Sequence, residues 1–175
     1  MSGLQQWLFT RESRNAPAAT LLIRLIVGWV FIVSGVLKFL YPNQGVGRFT
    51  KLGIPAPDVL APFVGLVEIG GGLLLVLGLL TRLATLPLII DMIVAIASSK
   101  LPLLTGPGPE PVAAAPTTGF WAFAYQARLD MTMLLAVVFL LVVGAGVWSF
   151  DAWLSQRTQA RSVEQTVGQT IVAPA

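Results

Sequence analysis

The sequence predicts an all-α integral membrane protein, folded as a four-helix up-and-down bundle. The 175 residues are 55% hydrophobic and only 11% charged, whereas an ordinary globular domain is about 25% charged. The mean hydropathy is +0.81. Four apolar stretches approach or exceed the roughly 20 residues that a membrane-spanning helix needs. The length suits one compact domain.

The first predicted helix covers residues 18–40 and ends at the turn-forming sequence Tyr41-Pro42-Asn43. Residues 41–58 are predicted to be a loop. The second helix, residues 59–80, carries Glu68 followed by three glycines at 70–72. Glycine lowers helix propensity, but it allows helix backbones to approach closely in lipid. We therefore expect this helix to pack tightly.

The third predicted helix covers residues 83–99, with Asp91 near its centre. Only Thr81 and Arg82 separate it from the second helix, and so short a turn predicts an antiparallel hairpin. Residues 100–119 are rich in Pro and Gly and predict a long irregular loop. The fourth helix, residues 120–148, opens with an aromatic cluster that is typical of a membrane interface.

The two ends of the chain are polar. Residues 1–17 lack a long apolar core, so we expect no signal peptide there. This segment is expected either to lie at the membrane surface or to be floppy. Residues 151–175 are predicted to form a disordered tail. Basic residues near the helix ends favour cytoplasmic termini by five to three. The five are Arg11, Arg14, Arg82, Arg157 and Arg161; the three are Arg48, Lys51 and Lys100.

Two absences restrict the chemistry. The chain has no cysteine and no histidine, so it lacks the usual ligands of haem and zinc and the usual general acid-base residue. No haem or metal is therefore expected from this chain. Its net charge of +3 comes from scattered residues, which gives no sign of a nucleic-acid partner. Redox chemistry would need an organic cofactor or a partner subunit.

Six charged residues lie in or at the edges of the predicted helices, where a charge in hydrocarbon is costly. At about 1.5 Å per residue, four of them fall near mid-membrane. Arg24 lies nearer the cytoplasmic face, and Lys38 is expected to extend to the outer interface. We predict that Arg128 pairs with Glu68 or Asp91 and that Arg24 approaches Asp91. The candidate catalytic residues are Glu68, Asp91 and Asp130, and the candidate cofactor-binding residues are Arg128, Arg24 and Lys38.

These charges have two interpretations of about equal weight. They either lock the helices in register or form a polar pocket that binds a ligand headgroup or relays protons. The sequence alone leaves both open.

Four motifs in order resemble the DoxX/DoxD family. Residues 24–39 carry the pattern Arg-Leu-x-x-Gly-x-x-Phe-x-x-Ser-Gly-x-x-Lys-Phe, and residues 52–57 read Leu-Gly-Ile-Pro-Ala-Pro. Glu68-x-Gly-Gly is followed by Gly-Leu-x-Thr-Arg at residues 78–82, and Asp91-Met92 resembles the acid of the family's third helix. The resemblance covers about residues 20–150 and implies a four-helix membrane protein.

The resemblance also implies a function. DoxD-type members are known as the small membrane subunit of thiosulfate:quinone oxidoreductase, and others are described as quinol oxidase subunits. The expectation is a subunit of a quinone-linked oxidoreductase in the bacterial inner membrane, with quinone as cofactor. Other protein subunits are expected partners, and self-association is left open. The alternatives are a non-catalytic accessory subunit of a larger complex and, less favoured, a transporter, since no inverted repeat is visible.

Overall fold

A computed structural model of the chain describes residues 18–108 and 116–154. The described part is all-helical. Four of its helices are long and apolar enough to cross a membrane. These confirm the predicted fold class. The helices are α1 (Thr20–Leu40), α2 (Val46–Lys51), α3 (Pro57–Leu77), α4 (Thr81–Ser99) and α5 (Phe120–Val143), with a 3-10 turn at Leu101–Leu104.

Three predicted boundaries are corrected. The turn between the second and third spanning helices is residues 78–80 rather than Thr81 and Arg82, which begin α4. The fourth spanning helix ends at Val143 rather than Trp148, because Gly144 and Gly146 adopt positive φ angles of 86° and 81°. The 41–58 segment is not wholly a loop, since it contains α2. The side chain of Phe49 is buried and fixes this short helix against the bundle.

The first residues of the predicted tail belong to the folded part of the chain. Residues 150–154 are helical, and Asp151 is only 4% exposed. The predicted segments 1–17 and 155–175 lie outside the described residues.

Helices α1 and α3 form a tight pair through facing glycines. A Cβ atom added to Gly35 would lie 2.6 Å from the carbonyl oxygen of Gly65, and one added to Gly72 would lie 2.7 Å from that of Gly28. Such contacts leave no room for a side chain. The backbones approach each other closely, as small residues permit in lipid.

Helices α3 and α4 form the predicted antiparallel hairpin, joined at residues 78–80. Gly78 and Leu80 both have positive φ angles, 67° and 49°. This end of the bundle is called the hairpin end, and the opposite end, which carries α2, is called the α2 end. The two helices touch where Gly71 of α3 packs against the side chain of Leu88 of α4. A Cβ atom added to Gly71 would lie 3.0 Å from that side chain.

The hairpin end is closed by the segment after α5. Arg24 is 1% exposed, and its guanidinium donates hydrogen bonds to four backbone carbonyls. The acceptors are Leu75 (2.8 Å), Val76 (2.9 Å), Ala145 (2.7 Å) and Trp148 (2.8 Å). One side chain therefore ties α1 to the end of α3 and to the chain that follows α5.

Asp151 caps the start of α4, although it lies 70 positions after Thr81 in the sequence. Its carboxylate accepts hydrogen bonds from the backbone N–H groups of Leu80 (2.9 Å) and Thr81 (3.2 Å). These donors belong to the start of a helix, where they have no partner within the helix itself. A negative charge is also favourable at that position.

A charged cleft between helices α3 and α4

A cavity of about 550 Å³ lies in the half of the bundle nearer the α2 end. Its walls come from α1, from the first half of α3 and from the second half of α4, and residues of α2 line it from above. Most of the lining is apolar, with charged groups at a few positions. The volume is within the range of about 300–1,000 Å³ that ligand pockets occupy. This cavity is called the α3/α4 cleft.

Glu68 and Asp91 form the polar floor of this cleft. Glu68 precedes Gly71 by three residues, and Asp91 follows Leu88 by three. Because α3 and α4 are antiparallel, both carboxylates lie about one helical turn beyond the Gly71–Leu88 contact, on the cleft side. Glu68 is 2% exposed, and the two carboxyl groups are close enough to interact. The Oδ2 atom of Asp91 is buried and accepts no hydrogen bond.

Lys38 reaches this floor from α1. Its Nζ lies 2.5 Å from Oε2 of Glu68. Contact between Gly35 and Gly65 places Lys38 near the level of the first turns of α3, nearer the α2 end than Glu68. Side chains lean toward the amino end of their own helix, so in this antiparallel pair Lys38 and Glu68 lean toward each other. The prediction that Lys38 extends to the interface is therefore wrong.

Asp130 brings α5 to the cleft and introduces a second ion pair. Asp130 lines the cavity, and its Oδ2 lies 3.8 Å from Nζ of Lys100. Sequence reasoning assigned Lys100 to the loop and did not place it in the site. Its position in the sequence could have indicated this role, since the side chain of a lysine directly after α4 can fold back along that helix. Lys100 is 9% exposed.

Arg128 and Arg24 do not reach the cleft. Arg128 is exposed; it donates a hydrogen bond to the carbonyl of Tyr125 and lies 3.8 Å from the centroid of that residue's ring. It faces away because Asp130, two residues on, faces inward. Arg24 is held at the hairpin end by its four carbonyl acceptors. The predicted pairings of Arg128 with Glu68 or Asp91, and of Arg24 with Asp91, are therefore wrong.

The charges around the cleft balance. Arg48 of α2 also lines it, a role that sequence analysis did not assign. Three carboxylates and three cations thus line the cavity or pair with a group that does. The carboxylates are Glu68, Asp91 and Asp130, and the cations are Lys38, Arg48 and Lys100.

The fold and the cleft define a class: a small four-helix membrane protein with an apolar, charge-floored cavity within the bundle. The DoxX family model matches residues 19–101, which include α1 to α4 and therefore most of the cleft. The chain is also 48% identical over 147 residues to Rv3486 of Mycobacterium tuberculosis, an uncharacterized membrane protein; the match covers 83% of this chain and 87% of the relative. The chain belongs to the DoxX family.

Two further relatives are more distant. A Bacillus subtilis protein named "Putative oxidoreductase CatD" is 28% identical over 142 residues, or 81% of this chain and 91% of that protein. An uncharacterized protein of Haemophilus influenzae is 37% identical over 71 residues, covering 40% and 50% of the two chains. No solved structure matches the chain.

Proposed function

We propose that this chain is the membrane subunit of a quinone-linked oxidoreductase system and that the α3/α4 cleft binds the quinone headgroup. The observation that carries the proposal is the pairing of Glu68 and Asp91 at the bottom of a mostly apolar cavity. A quinone has the matching shape, a flat apolar ring with a polar oxygen at each end. The name of the Bacillus subtilis relative agrees with redox chemistry.

The residues fit such a headgroup. Nζ of Lys38 can donate a hydrogen bond to a carbonyl oxygen, and a protonated carboxyl of Glu68 or Asp91 can do the same. The unpartnered Oδ2 of Asp91 has an unmet hydrogen-bonding capacity that a quinol hydroxyl would satisfy. A bound quinone supplies the two-electron redox chemistry. Arg24 and Arg128 take no part in this site.

The chain's own contribution is to hold the ring and to move protons. Reduction of a quinone to the quinol takes up two electrons and two protons. The electrons come from a reduced redox centre on a partner protein. Glu68 and Asp91 hold protons at the level of the headgroup, and Lys38 keeps Glu68 oriented. Asp130 and Lys100 extend the charged path toward the α2 end.

Quinone extraction from the purified protein tests the proposal. Mass spectrometry of the lipid extract should find quinone in the native protein, and about tenfold less in Glu68→Gln and Asp91→Asn variants, since each removes a charged hydrogen-bonding group worth about 1.5–3 kcal/mol. Arg128→Gln is the matched control, because it removes a charge at similar depth outside the cleft. Quinone content that is unaffected by both acid variants would contradict the proposal and favour a non-catalytic accessory role.

A further inference from the structure

We propose that the α3/α4 cleft opens sideways into the hydrocarbon of the membrane and selects ligands that carry a long apolar tail. Three large apolar side chains belong both to the cleft and to the outer surface of the bundle. Phe63 on α3 and Ile90 and Val94 on α4 line the cavity, yet they are 59%, 63% and 48% exposed. In a spanning helix this exposed surface faces lipid.

The opening follows from how the helices pair. α3 packs chiefly on α1, and α4 packs chiefly on α5. The contact between α3 and α4 is therefore less extensive than either of those two. The two helices are joined at residues 78–80 and in contact at Gly71 and Leu88. Beyond that contact, toward the α2 end, the cleft separates them. The opening is therefore a slot between α3 and α4 that extends from mid-membrane toward the α2 end.

The approach from water is covered. α2 lies across the α2 end of the cleft, where Arg48, Phe49 and Leu52 line it, and Phe49 is only 8% exposed. By contrast, the slot is edged by the apolar side chains of Phe63, Ile90 and Val94. A molecule dissolved in the bilayer meets an apolar entrance, and one dissolved in water meets a short helix with a charged side chain.

The inner and outer parts of the cleft then match the two parts of one ligand. The polar head lies on the floor formed by Glu68 and Asp91, beside Lys38. The tail leaves through the slot, over Ile90 and Val94, into lipid. This inference rests on the proposed function and adds to it the substrate class: a prenylated, membrane-resident quinone, rather than a short-chain quinone that is soluble in water.

Photoaffinity labelling tests the slot directly. The probes are a naphthoquinone with a prenyl tail and a photoreactive group, and a tail-free naphthoquinone with the same group. Each is added to purified full-length protein, and labelled peptides are identified by mass spectrometry. The blocking variants are Ile90→Trp and Val94→Trp. The matched controls are Leu66→Trp on α3 and Ile93→Trp on α4, whose native side chains are 62% and 51% exposed but do not line the cleft.

In the native protein we expect the tailed probe to label the cleft at least about tenfold more than the tail-free probe, because the apolar tail moves from water into the micelle that surrounds the slot and so brings the headgroup to its opening. The blocking variants should reduce labelling by the tailed probe at least about fivefold, because the larger indole ring fills the slot. The control variants should keep it. An Ile90→Ala variant, which widens the slot, should retain labelling and guards against a failure caused by the added tryptophan.

The outcomes separate the two proposals. If the tailed probe labels the cleft equally well in the native and blocking variants, or no better than the tail-free probe, the sideways opening is wrong while the quinone site stands. If neither probe labels the cleft of the native protein, the quinone site itself is wrong.

Discussion

Nζ of Lys38 lies 2.5 Å from Oε2 of Glu68, across the interface between α1 and α3. The side chains of the two residues are 13% and 3% exposed. The pair joins residues 30 positions apart and lies where α1, α3 and α4 meet. It is part of the packing of the bundle and also part of the cleft floor. Stability and ligand binding are therefore expected to respond differently to its removal.

The Lys38–Glu68 pair gives the first prediction. Lys38→Met leaves the carboxylate of Glu68 buried without its partner, which we expect to lower the free energy of unfolding by about 3–5 kcal/mol. The double variant Lys38→Met/Glu68→Gln removes both charges and should recover most of that loss. Unfolding in mixed micelles with increasing denaturing detergent measures all members of the cycle. Equal destabilisation of the single and double variants would show that the ion pair makes no specific contribution.

Helix packing gives the second prediction. Gly35→Ala places a methyl group where a Cβ would lie 2.6 Å from the backbone oxygen of Gly65, and a backbone oxygen cannot move aside cheaply. We expect a loss of about 1–3 kcal/mol. The control is Gly70→Ala, because no atom lies within 4 Å of a Cβ at Gly70. That change should be neutral or gain up to about 1 kcal/mol of helix propensity.

The same detergent titration compares the two glycine variants. If Gly35→Ala proved as stable as Gly70→Ala, the close approach of α1 and α3 would be wrong. The comparison is sharp because both changes add a single methyl group to the middle of a spanning helix. They differ only in what that methyl group meets.

The spanning helices were predictable because hydrocarbon length and helical rise fix their size, and composition alone reveals them. The convergence of Glu68, Asp91 and Asp130 on one cavity also followed from depth along antiparallel helices. The depth of a residue in the membrane does not say which side of its helix faces the bundle. Arg128 and Asp130 lie at nearly the same depth, yet one faces lipid and the other the cleft.

Side-chain length was the second source of error. Lys38 lies near a helix end, where long side chains commonly extend to the interface, and Arg24 was expected to approach Asp91. In the folded chain both side chains turn inward because they bind buried acceptors. Lys38 binds the carboxylate of Glu68, and Arg24 donates hydrogen bonds to four backbone carbonyls. Backbone acceptors of this kind leave no trace in a sequence, so the clamp at Arg24 was not predictable.

The Arg24 clamp gives the third prediction. Arg24→Lys keeps the charge but cannot donate to four carbonyls in the same geometry, so buried carbonyls are left without partners at about 1–3 kcal/mol each. Because two of the acceptors are Ala145 and Trp148, the segment after α5 should detach. Limited proteolysis should then cut near Trp148 in the variant, while the native protein resists cleavage there.

Asp151 provides a graded comparison for the clamp. Asp151→Ala removes both acceptors of the α4 cap and should cost about 1 kcal/mol, with partial exposure of the same segment. Asp151→Asn keeps one acceptor oxygen and should lie between the alanine variant and the native protein. If Arg24→Lys left the cleavage pattern unchanged, the clamp would not be what holds this segment in place.

The orientation of the bundle gives the last prediction. The balance of basic residues predicts that the hairpin end lies in the cytoplasm and the α2 end outside. Because the chain has no cysteine, single cysteines report each face without interference. Thr50→Cys, in the last turns of α2, should react with a membrane-impermeant maleimide in intact cells. Leu154→Cys, beyond the hairpin end, should react only after the membrane is opened.

If the cleft exchanges protons as proposed, the result also fixes the side from which they come. Lys100 follows the end of α4 at the α2 end and pairs with Asp130, so labelling of Thr50→Cys from outside would connect the charged path to the outer compartment. The reverse pattern, with Leu154→Cys labelled in intact cells, would contradict the predicted topology. It would also reverse the direction of proton exchange while leaving the geometry of the cleft unchanged. Neither cysteine replaces a charged residue, so the orientation signal itself is preserved in both variants.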